Sequence, residues 1–203
     1  MYVYSMCSRK DQIRVAAGEH DHRTTQDNAQ YSCVKNVIIH ETFNQGQANG
    51  HDAAVIELAQ PFKYNEYVRP ACLPNPKQNW QNPKNPSENL VIAGWGDKFE
   101  GSEEGSALLN EAVVKVLPVP QCKRLLPGRI GPTMMCTMQH GIDTCQGDSG
   151  GPLMAWRKRY VLAGIVSWGE GCAQRNKPGV FAHVPSLLPW FKKKIQCAEC
   201  FQD

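Results

Sequence analysis

The sequence predicts an all-β barrel or sandwich that ends in one substantial helix. Short segments rich in β-branched residues recur along the chain and are bounded by Gly, Pro and Asn, as the strands of such folds are. In the segment 185–196 the pattern becomes helical, because Leu187, Leu188, Phe191 and Ile195 fall on one face behind a helix-starting Pro and Ser. The chain contains no repeat of fixed period.

Seven segments are predicted as strands from their β-branched content and flanking turn residues. They are, in order, Gln12–Ala16, Val34–Ile39, Ala53–Leu58, Leu90–Ala93, Glu111–Val116, Tyr160–Val166 and Gly179–Val184. Residues 74–89 are rich in Pro and Asn without apolar periodicity, which indicates a connector between two β halves. Residues 97–106 are acidic and contain Gly, as is typical of a surface loop.

The composition is that of a soluble globular protein. The chain has 203 residues, of which 41% are hydrophobic and 20% charged, so it is long enough to bury a core. The net charge of +3 is small and scattered, which argues against nucleic acid as a partner. The one charge cluster, Lys192–Lys194, is interpreted as a solvated helix face. No apolar run is long enough to span a membrane.

The nine cysteines indicate disulfides formed in an oxidising, extracellular compartment. They lack the repeated CxxC pairs of zinc sites, and the lone pair Cys197 and Cys200 is weak evidence for a metal or redox site. A secreted protein should carry an export signal, yet residues 1–6 are too short and too polar to be one. We therefore expect that the front of the protein is missing and that at least one cysteine has lost its partner.

The run Asp143–Pro152, DTCQGDSGGP, is the strongest functional signal. Its glycines allow a sharp turn that exposes the Ser149 hydroxyl and directs backbone N–H groups at a ligand. A serine hydroxyl is inert at neutral pH unless a base takes its proton and preorganised donors stabilise the developing oxyanion. The N–H groups of Gly147 and Ser149 can meet the second requirement.

This run and six further fragments resemble the trypsin-like serine proteases, which have the chymotrypsin fold. The other fragments are Arg14–Glu19, His51–Leu58, Arg69–Pro74, Ala93–Gly96, Ser167–Cys172 and Lys177–Val180. The resemblance implies two antiparallel six-stranded β-barrels and a C-terminal helix, with the first barrel incomplete. It implies one protease domain over residues 1–203, with 1–73 as the partial first barrel, 74–89 as the connector and 90–203 as the second barrel and helix.

By this resemblance Ser149 is the nucleophile, Asp52 orients the catalytic base, and Gly147 and Ser149 form the oxyanion hole. Asp143 lies at the base of the primary specificity pocket, where a carboxylate in a dry slot selects Arg or Lys. The implied reaction is peptide-bond cleavage after Arg or Lys through a Ser-His-Asp acyl-enzyme mechanism, without cofactor or metal. The implied partners are protein or peptide substrates with Arg or Lys at the cleaved position, and protease inhibitors.

The resemblance also assigns the surroundings of the pocket. Gly169 and Gly179 match wall glycines, where any side chain would block a long substrate group. Ser167, Trp168 and Gly169 resemble the edge strand that binds substrate backbone by β-addition.

Two family disulfides are implied, Cys122–Cys136 and Cys145–Cys172. The second ties the nucleophile run to the pocket wall. At the two positions of a third family bridge the chain has Leu90 and Ala155, and this joint replacement leaves no orphan thiol in the interior.

The remaining cysteines are less clear. Cys7 and Cys72 match positions whose usual partners lie upstream, outside this chain. The resemblance implies no pairing for Cys33, Cys197 and Cys200, and a bridge from Cys33 to the tail is one open alternative.

Two functional features of the family are absent from the sequence. The N-terminal Ile-Val-Gly-Gly segment, whose amino group in relatives pairs with the carboxylate matching Asp148, does not occur. We therefore expect Asp148 to be an unpaired charge, which costs about 3–5 kcal/mol if buried, and the nucleophile loop to relax toward a poorly formed pocket and oxyanion hole. The Ala-Ala-His-Cys string that carries the catalytic histidine is absent as well.

The missing histidine has two interpretations. Cys7 precedes Gly18 by 11 positions, close to the family spacing, so that Met6 would stand in place of the histidine. Alternatively, the histidine preceded Met1 and residues 1–10 are a loop insertion. Residues 2–5 do not resemble the family segment, so both interpretations stay open.

None of the six histidines is predicted to replace it. His20 and His22 lie in a polar turn without a third ligand or a carboxylate triad. His51 adjoins Asp52 and, as its neighbour on a strand, is expected to point to the opposite face. The other three, assigned to ordinary surface or core positions without partners, are His40, His140 and His183.

The sequence therefore predicts a serine endopeptidase at the level of the family and an inactive chain as given. Removal of the triad histidine lowers turnover by on the order of 10⁶ in a related chemistry. The alternative is a non-catalytic protease homologue that acts as a binding or regulatory module. Retention of Ser149, Asp52 and Asp143 favours the first interpretation, because a disused site has no need of them.

Overall fold

The computed structural model describes residues 13–24, 28–81 and 89–195. Within these ranges the chain forms nine strands and two helices. The strands are β1 Arg14–Ala17, β2 Gln30–Ile39, β3 Ala54–Leu58, β4 Asn89–Gly94, β5 Asn110–Leu117, β6 Met134–Thr137, β7 Pro152–Trp156, β8 Tyr160–Trp168 and β9 Gly179–His183. The helices are α1 Val119–Leu125 and α2 Val184–Lys194.

The chain divides into two compact units. The first takes its residues from 1–39 and 54–70, and the second from 40–53 and 71–203. The segment 40–53, which the sequence placed in the first barrel, therefore groups with the second unit. Neither of the two helices in the described ranges is long and apolar enough to cross a membrane.

Three antiparallel strands form the sheet of the first unit, in the order β1-β2-β3. Along β2 the side chains alternate, since Ser32 and Val34 are buried while Tyr31 and Lys35 are exposed. The resemblance predicted a first barrel with strands missing, and a three-stranded sheet agrees with that prediction.

A closed barrel of six strands, in the order β4-β5-β6-β9-β8-β7, dominates the second unit. All neighbouring strands are antiparallel. Fully buried side chains fill the interior, among them Leu90, Val114, Met135, Leu153 and Phe181. The all-β class, the six-stranded barrel and the C-terminal helix are thereby confirmed. Closure pairs every strand edge, so the barrel is a stable frame for the loops at its ends.

The two residues that replace the third family disulfide lie in this barrel core. Leu90 and Ala155 both have no exposed surface. Strand β4 pairs with β7 through Val91 with Met154 and Ile92 with Leu153, and one step further this register brings Leu90 opposite Ala155. An apolar pair thus fills the place where the family has a covalent link.

Two strands and one helix were not predicted. Strand β6 has only four residues, all of them buried, so it shows no alternation. Strand β7 begins with Pro152, a residue that strands tolerate mainly at their start. Helix α1 has seven residues, too few to be stable alone, and its Cys122 is bonded to Cys136 of β6. Tertiary contacts therefore stabilise all three elements.

The C-terminal helix matches its prediction closely. Helix α2 covers Val184–Lys194, compared with the predicted 185–196. Leu187, Leu188 and Phe191 are buried as predicted. The lysines of the last turn lie where a positive charge interacts favourably with the helix dipole.

Part of the predicted connector 74–89 packs against the barrel. Pro74 is buried, and Trp80 belongs to the barrel core. Just before it, Cys72 lies alongside β8, because its N–H donates to the Tyr160 carbonyl and its carbonyl accepts from the Leu162 N–H, both at 2.9 Å. Residues 82–88 lie outside the described ranges.

Candidate active site

The loop that carries Ser149 precedes β7 and is anchored to β8. The Gly150 N–H donates to the Val166 carbonyl, and the Val166 N–H donates to the Gly151 carbonyl, both at 2.9 Å. Gly147 and Gly150 have φ angles of 91° and 81°, in the left-handed region that glycine adopts readily. These two turns present Ser149 on the surface, where its side chain is exposed.

Asp148 is not the unpaired charge that the missing amino terminus predicted. Its Oδ1 accepts a hydrogen bond from the Gly96 N–H at 2.9 Å, and its Oδ2 accepts one from the Cys145 N–H at 3.0 Å. A Cβ at Gly94 or at Gly96 would overlap the carboxylate, so these glycines make room for it. The expectation of an orphan charge was wrong because backbone N–H groups stabilise the ionised carboxylate.

Asp52 is held by the side chain of Ser167. The Ser167 hydroxyl donates to Asp52 Oδ2 with 2.6 Å between the oxygens, and both residues are half-buried. The sequence assigned Ser167 only to substrate binding. The two residues are 115 positions apart, and no local pattern links them.

Asp143 lies half-buried against a glycine. Its Oδ1 accepts from the Thr144 N–H at 2.9 Å and its Oδ2 from the Ala173 N–H at 3.2 Å. A Cβ on Gly179 would lie 2.5 Å from Oδ1, so only glycine permits this approach. Burial raises the pKa of Asp143, and the charge of Asp148 raises it further. Within the described ranges no Lys or Arg forms an ion pair with this carboxylate.

The two predicted wall glycines differ in their surroundings. Gly179 is buried beside Asp143, whereas Gly169 is exposed and a Cβ there would meet only the Gly171 carbonyl oxygen at 3.5 Å, an ordinary contact. Next to Gly169, the Trp168 indole is half-buried and the guanidinium of Arg129 lies over its ring. The sequence did not single out Arg129.

A cavity of about 370 Å³ adjoins the carboxylates of the nucleophile run. Asp143 and Asp148 line it together with residues of β4 and β5, among them Gly94 and Ala112. Ser149 does not line it. The two acidic groups therefore share a space that extends toward the barrel strands and does not include the serine.

The acidic loop predicted at 97–106 is organised by a carboxylate that the sequence did not single out. Asp97 is buried and accepts hydrogen bonds from the Glu103 N–H at 3.1 Å and the Gly105 N–H at 2.8 Å. Its own N–H donates to the Gln146 carbonyl at 2.8 Å. The loop is thus tied to the nucleophile run one residue before Gly147. The known preference of Asp for backbone N–H groups in turns was the available signal.

The histidines have more partners than the sequence predicted. His51 lies in a left-handed turn with φ of 55°, not on a strand, and its ring stacks on His40 with centroids 4.6 Å apart. His40 also stacks on Trp190, at 4.8 Å. His183 Nδ1 hydrogen-bonds with the Ser186 hydroxyl at 2.6 Å. In the described part of the chain, these contacts do not include Ser149, and no three potential metal-ligating side chains cluster.

The two implied disulfides, Cys122–Cys136 and Cys145–Cys172, are present. The second joins the nucleophile run to the segment that follows β8. Cys33 is also disulfide-bonded, to a residue beyond the described ranges, and Cys72 has a free, half-buried thiol. The other residues singled out for a missing partner or base that lie outside those ranges are Met6, Cys7, Cys197 and Cys200.

The comparison with protein families agrees with this architecture. A family model described as Trypsin matches residues 5–191, which is nearly the whole chain. The chain belongs to the trypsin family of serine proteases. As a member of that family it has the expected closed barrel, with the serine loop and its disulfide at one end.

Trypsin-family relatives match at 36–38% identity. The chain is 38% identical to the suppressor of tumorigenicity 14 protein homolog of Bos taurus, over 80% of this chain and 19% of the relative. It is 38% identical to transmembrane protease serine 11C of Mus musculus, over 79% and 37%. It is 36% identical to coagulation factor XII of Cavia porcellus, over 90% and 32%. The chain therefore spans about a fifth to two fifths of the length of these relatives.

Proposed function

We propose that this trypsin-family chain is part of a serine endopeptidase that cleaves peptide bonds after Arg or Lys. The observation that carries the proposal is the half-buried carboxylate of Asp143, which approaches Gly179 with no room for a side chain. Two backbone N–H groups hold it, and within the described ranges no cation neutralises it. A substrate guanidinium or ammonium group would supply that partner, and charge-assisted hydrogen bonds are the strongest kind.

The arrangement supports the acyl-enzyme mechanism of the family. Ser149 attacks the carbonyl carbon after the bound Arg or Lys, and its proton passes to the histidine base. Asp52, fixed by Ser167, orients that base and stabilises its charged form. The N–H groups of Gly147 and Ser149 donate to the oxyanion, and water then releases the acyl group from Ser149.

We further infer that the 203-residue chain alone is a poor peptidase. Neither Ala-Ala-His-Cys nor Ile-Val-Gly-Gly occurs in it. Without a base the Ser149 hydroxyl keeps its proton, and loss of the triad histidine lowers turnover by on the order of 10⁶ in a related protease. Asp148 retains its backbone partners, so the missing step is proton transfer rather than an unsatisfied charge.

Ligand binding tests the specificity pocket without requiring turnover. N-acetyl-arginine amide is compared by calorimetry with its neutral isostere, N-acetyl-citrulline amide. We expect binding of the arginine compound only, and at least about tenfold weaker binding by Asp143→Asn, because the charge pair is lost. Binding should weaken as the pH falls, since Asp143 must be ionised and its pKa is raised.

The matched control for this experiment is Glu104→Gln, which removes one negative charge from an exposed loop position. It should bind the arginine compound as the wild type does. Equal affinity of the wild type for the arginine and citrulline compounds would refute the proposed specificity.

A fluorophosphonate probe tests the inferred lack of activity. The probe reacts with an activated serine, so we expect the 203-residue chain to remain unlabelled, like the Ser149→Ala variant. Labelling that is lost in Ser149→Ala would show that the chain supplies its own base.

A non-catalytic homologue that acts as a binding or regulatory module is the second candidate. It is favoured by the histidine contacts of the described residues, which join His40 to His51 and Trp190 rather than to Ser149. Sequencing the complete 5′ end of the transcript separates the two. Upstream codons for Ile-Val-Gly-Gly and Ala-Ala-His-Cys support the enzyme, whereas an in-frame stop directly upstream supports the homologue.

We also propose an extracellular location and protein partners. The disulfides Cys122–Cys136 and Cys145–Cys172 support an oxidising compartment. The partners would be protein or peptide substrates with Arg or Lys at the cleaved position, and protease inhibitors that occupy the same pocket. Detection of the protein only inside cells, with reduced cysteines, would exclude this location.

A further inference from the structure

The cationic side chain of Arg129 covers one face of the Trp168 indole. Its guanidinium carbon lies 4.3 Å from the ring centroid, within the range of a cation–π contact. Its Nη1 donates to Glu170 Oε1, and the Arg129 and Glu170 side chains are 47% and 39% exposed. The Gln47 side-chain amide donates to the Arg129 carbonyl at 3.1 Å. Three contacts thus hold Arg129 over the ring.

Trp168 occupies a position that an extended peptide should reach. It is the last residue of β8 and lies between Ser167, which holds Asp52, and the exposed Gly169. Its indole also packs against the buried cluster that contains Leu126 and Val180. A fixed aromatic surface at the end of a strand is a favourable contact for an aromatic side chain of a peptide.

We propose that Arg129 is a specificity-determining residue, which closes the Trp168 indole to aromatic side chains that precede the cleaved Arg or Lys. The inference rests on the proposed function, since Asp143 must anchor the peptide and Ser167–Gly169 must align it. An aromatic side chain can stack on the covered face only after Arg129 has left it. Departure of Arg129 disrupts both the cation–π contact and the ion pair with Glu170.

The competing contacts have similar strengths. An exposed cation–π contact changes an equilibrium constant by about two- to fivefold. An exposed ion pair contributes up to about fivefold more. Stacking of a substrate aromatic ring on the indole contributes about two- to tenfold. Cover and stacking therefore nearly cancel, and the wild type should bind peptides with Phe or Ala at this position about equally.

Peptide binding by calorimetry tests the proposal in the 203-residue chain. Acetyl-Ala-Ala-Ala-Arg-amide is compared with three peptides in which Phe replaces each alanine in turn. In the wild type we expect an affinity ratio near one for every Phe peptide. In Arg129→Ala at least one Phe peptide should bind about two- to tenfold more tightly than the Ala peptide, because the ring is open. Glu170→Gln should give a smaller gain, since the cation–π contact remains.

Arg124→Ala is the matched control, because it removes an exposed arginine from α1, and it should keep the wild-type ratios. Unchanged ratios in Arg129→Ala, or a wild type that already prefers Phe as strongly, overturn the proposal. A peptide ending in citrulline separates the two levels of the argument. If it binds as tightly as the arginine peptide, the proposed pocket is wrong and the role of Arg129 fails with it. If arginine is required but the Phe ratios do not change, only the role of Arg129 is refuted.

Discussion

Three aspartates of the second unit have different neighbours, and these neighbours separate their roles. Asp148 accepts two backbone hydrogen bonds that anchor the serine loop to the segment after β4. Asp143 accepts two as well, but burial raises its pKa, so a cationic ligand would stabilise its charged form. Asp52 accepts the Ser167 hydroxyl. One residue type thus anchors a loop, offers a charge to a ligand and orients a base.

The two wall glycines should respond differently to substitution. In Gly179→Ala the new Cβ would lie 2.5 Å from Asp143 Oδ1 and 3.4 Å from the Phe181 ring, so Asp143 must shift. We expect a loss of about 1–3 kcal/mol in the free energy of unfolding, as for other overpacked sites, and loss of arginine binding. Chemical denaturation and calorimetry with N-acetyl-arginine amide measure the two effects.

Gly169→Ala is the matched control, since its Cβ would meet only the Gly171 carbonyl oxygen at 3.5 Å. Its free energy of unfolding should stay within about 0.5 kcal/mol of the wild type. Equal destabilisation by the two substitutions would show that the contact of Gly179 with Asp143 is not tight.

Among the elements, helix α2 begins at a buried histidine. His183 is the residue before the first turn, its Nδ1 hydrogen-bonds with Ser186, and its N–H donates to the Thr133 carbonyl at 2.8 Å. Burial lowers the pKa of His183 to about 4. The start of α2 is therefore built around a neutral imidazole.

The free energy of unfolding should fall below pH 6.5 because of His183. An unfolded chain binds a proton on histidine with a pKa near 6.5, whereas the folded chain resists protonation until about pH 4. The contribution of His183 is present above pH 6.5 and is lost as the pH falls toward 4. Between pH 7 and pH 5 the loss should be roughly 1–2 kcal/mol, measured by urea denaturation at each pH.

His183→Asn should remove this part of the pH dependence, because asparagine does not titrate. His140→Gln changes an exposed histidine and should retain it. Parallel stability profiles for the wild type and His183→Asn would assign the pH dependence to other groups.

For the molecule as a whole, the two units differ in how completely their strands are paired. The barrel of the second unit is closed, and Trp80 and the backbone of Cys72 join the preceding segment to it. In the described part of the first unit, β1 and β3 pair only with β2. Strand edges of this kind raise the tendency to open and to aggregate.

Limited proteolysis should therefore cut the first unit before the barrel. We expect early cleavage within 13–39 or 54–70 and a persistent fragment that contains 89–195, because local opening is easiest where pairing is incomplete. Mass spectrometry of the time course identifies the fragments. First cuts inside β4 to β9, with an intact first unit, would contradict this order.

Much of the fold followed from local patterns. The β-branched segments predicted seven of the strands, and apolar spacing predicted α2, because both signals are contained within a few residues. Strands β6 and β7 were missed since their burial on both faces removes the alternation, and α1 depends on its link to β6. The site residues of the nucleophile run were found because a glycine-rich turn needs only its neighbours.

The sequence by itself determined the family, the exposed serine between glycines and the absence of the two strings that carry the base and the activating terminus. Only the tertiary structure decided how the charges are satisfied. Gly96 and Asp148 are 52 positions apart, and Ser167 and Asp52 are 115 apart. The position of Arg129 over Trp168 likewise depends on separate segments of the second unit. Hydrogen bonds and ring contacts act over a few ångströms, so they are set by which distant segments the closed barrel brings together.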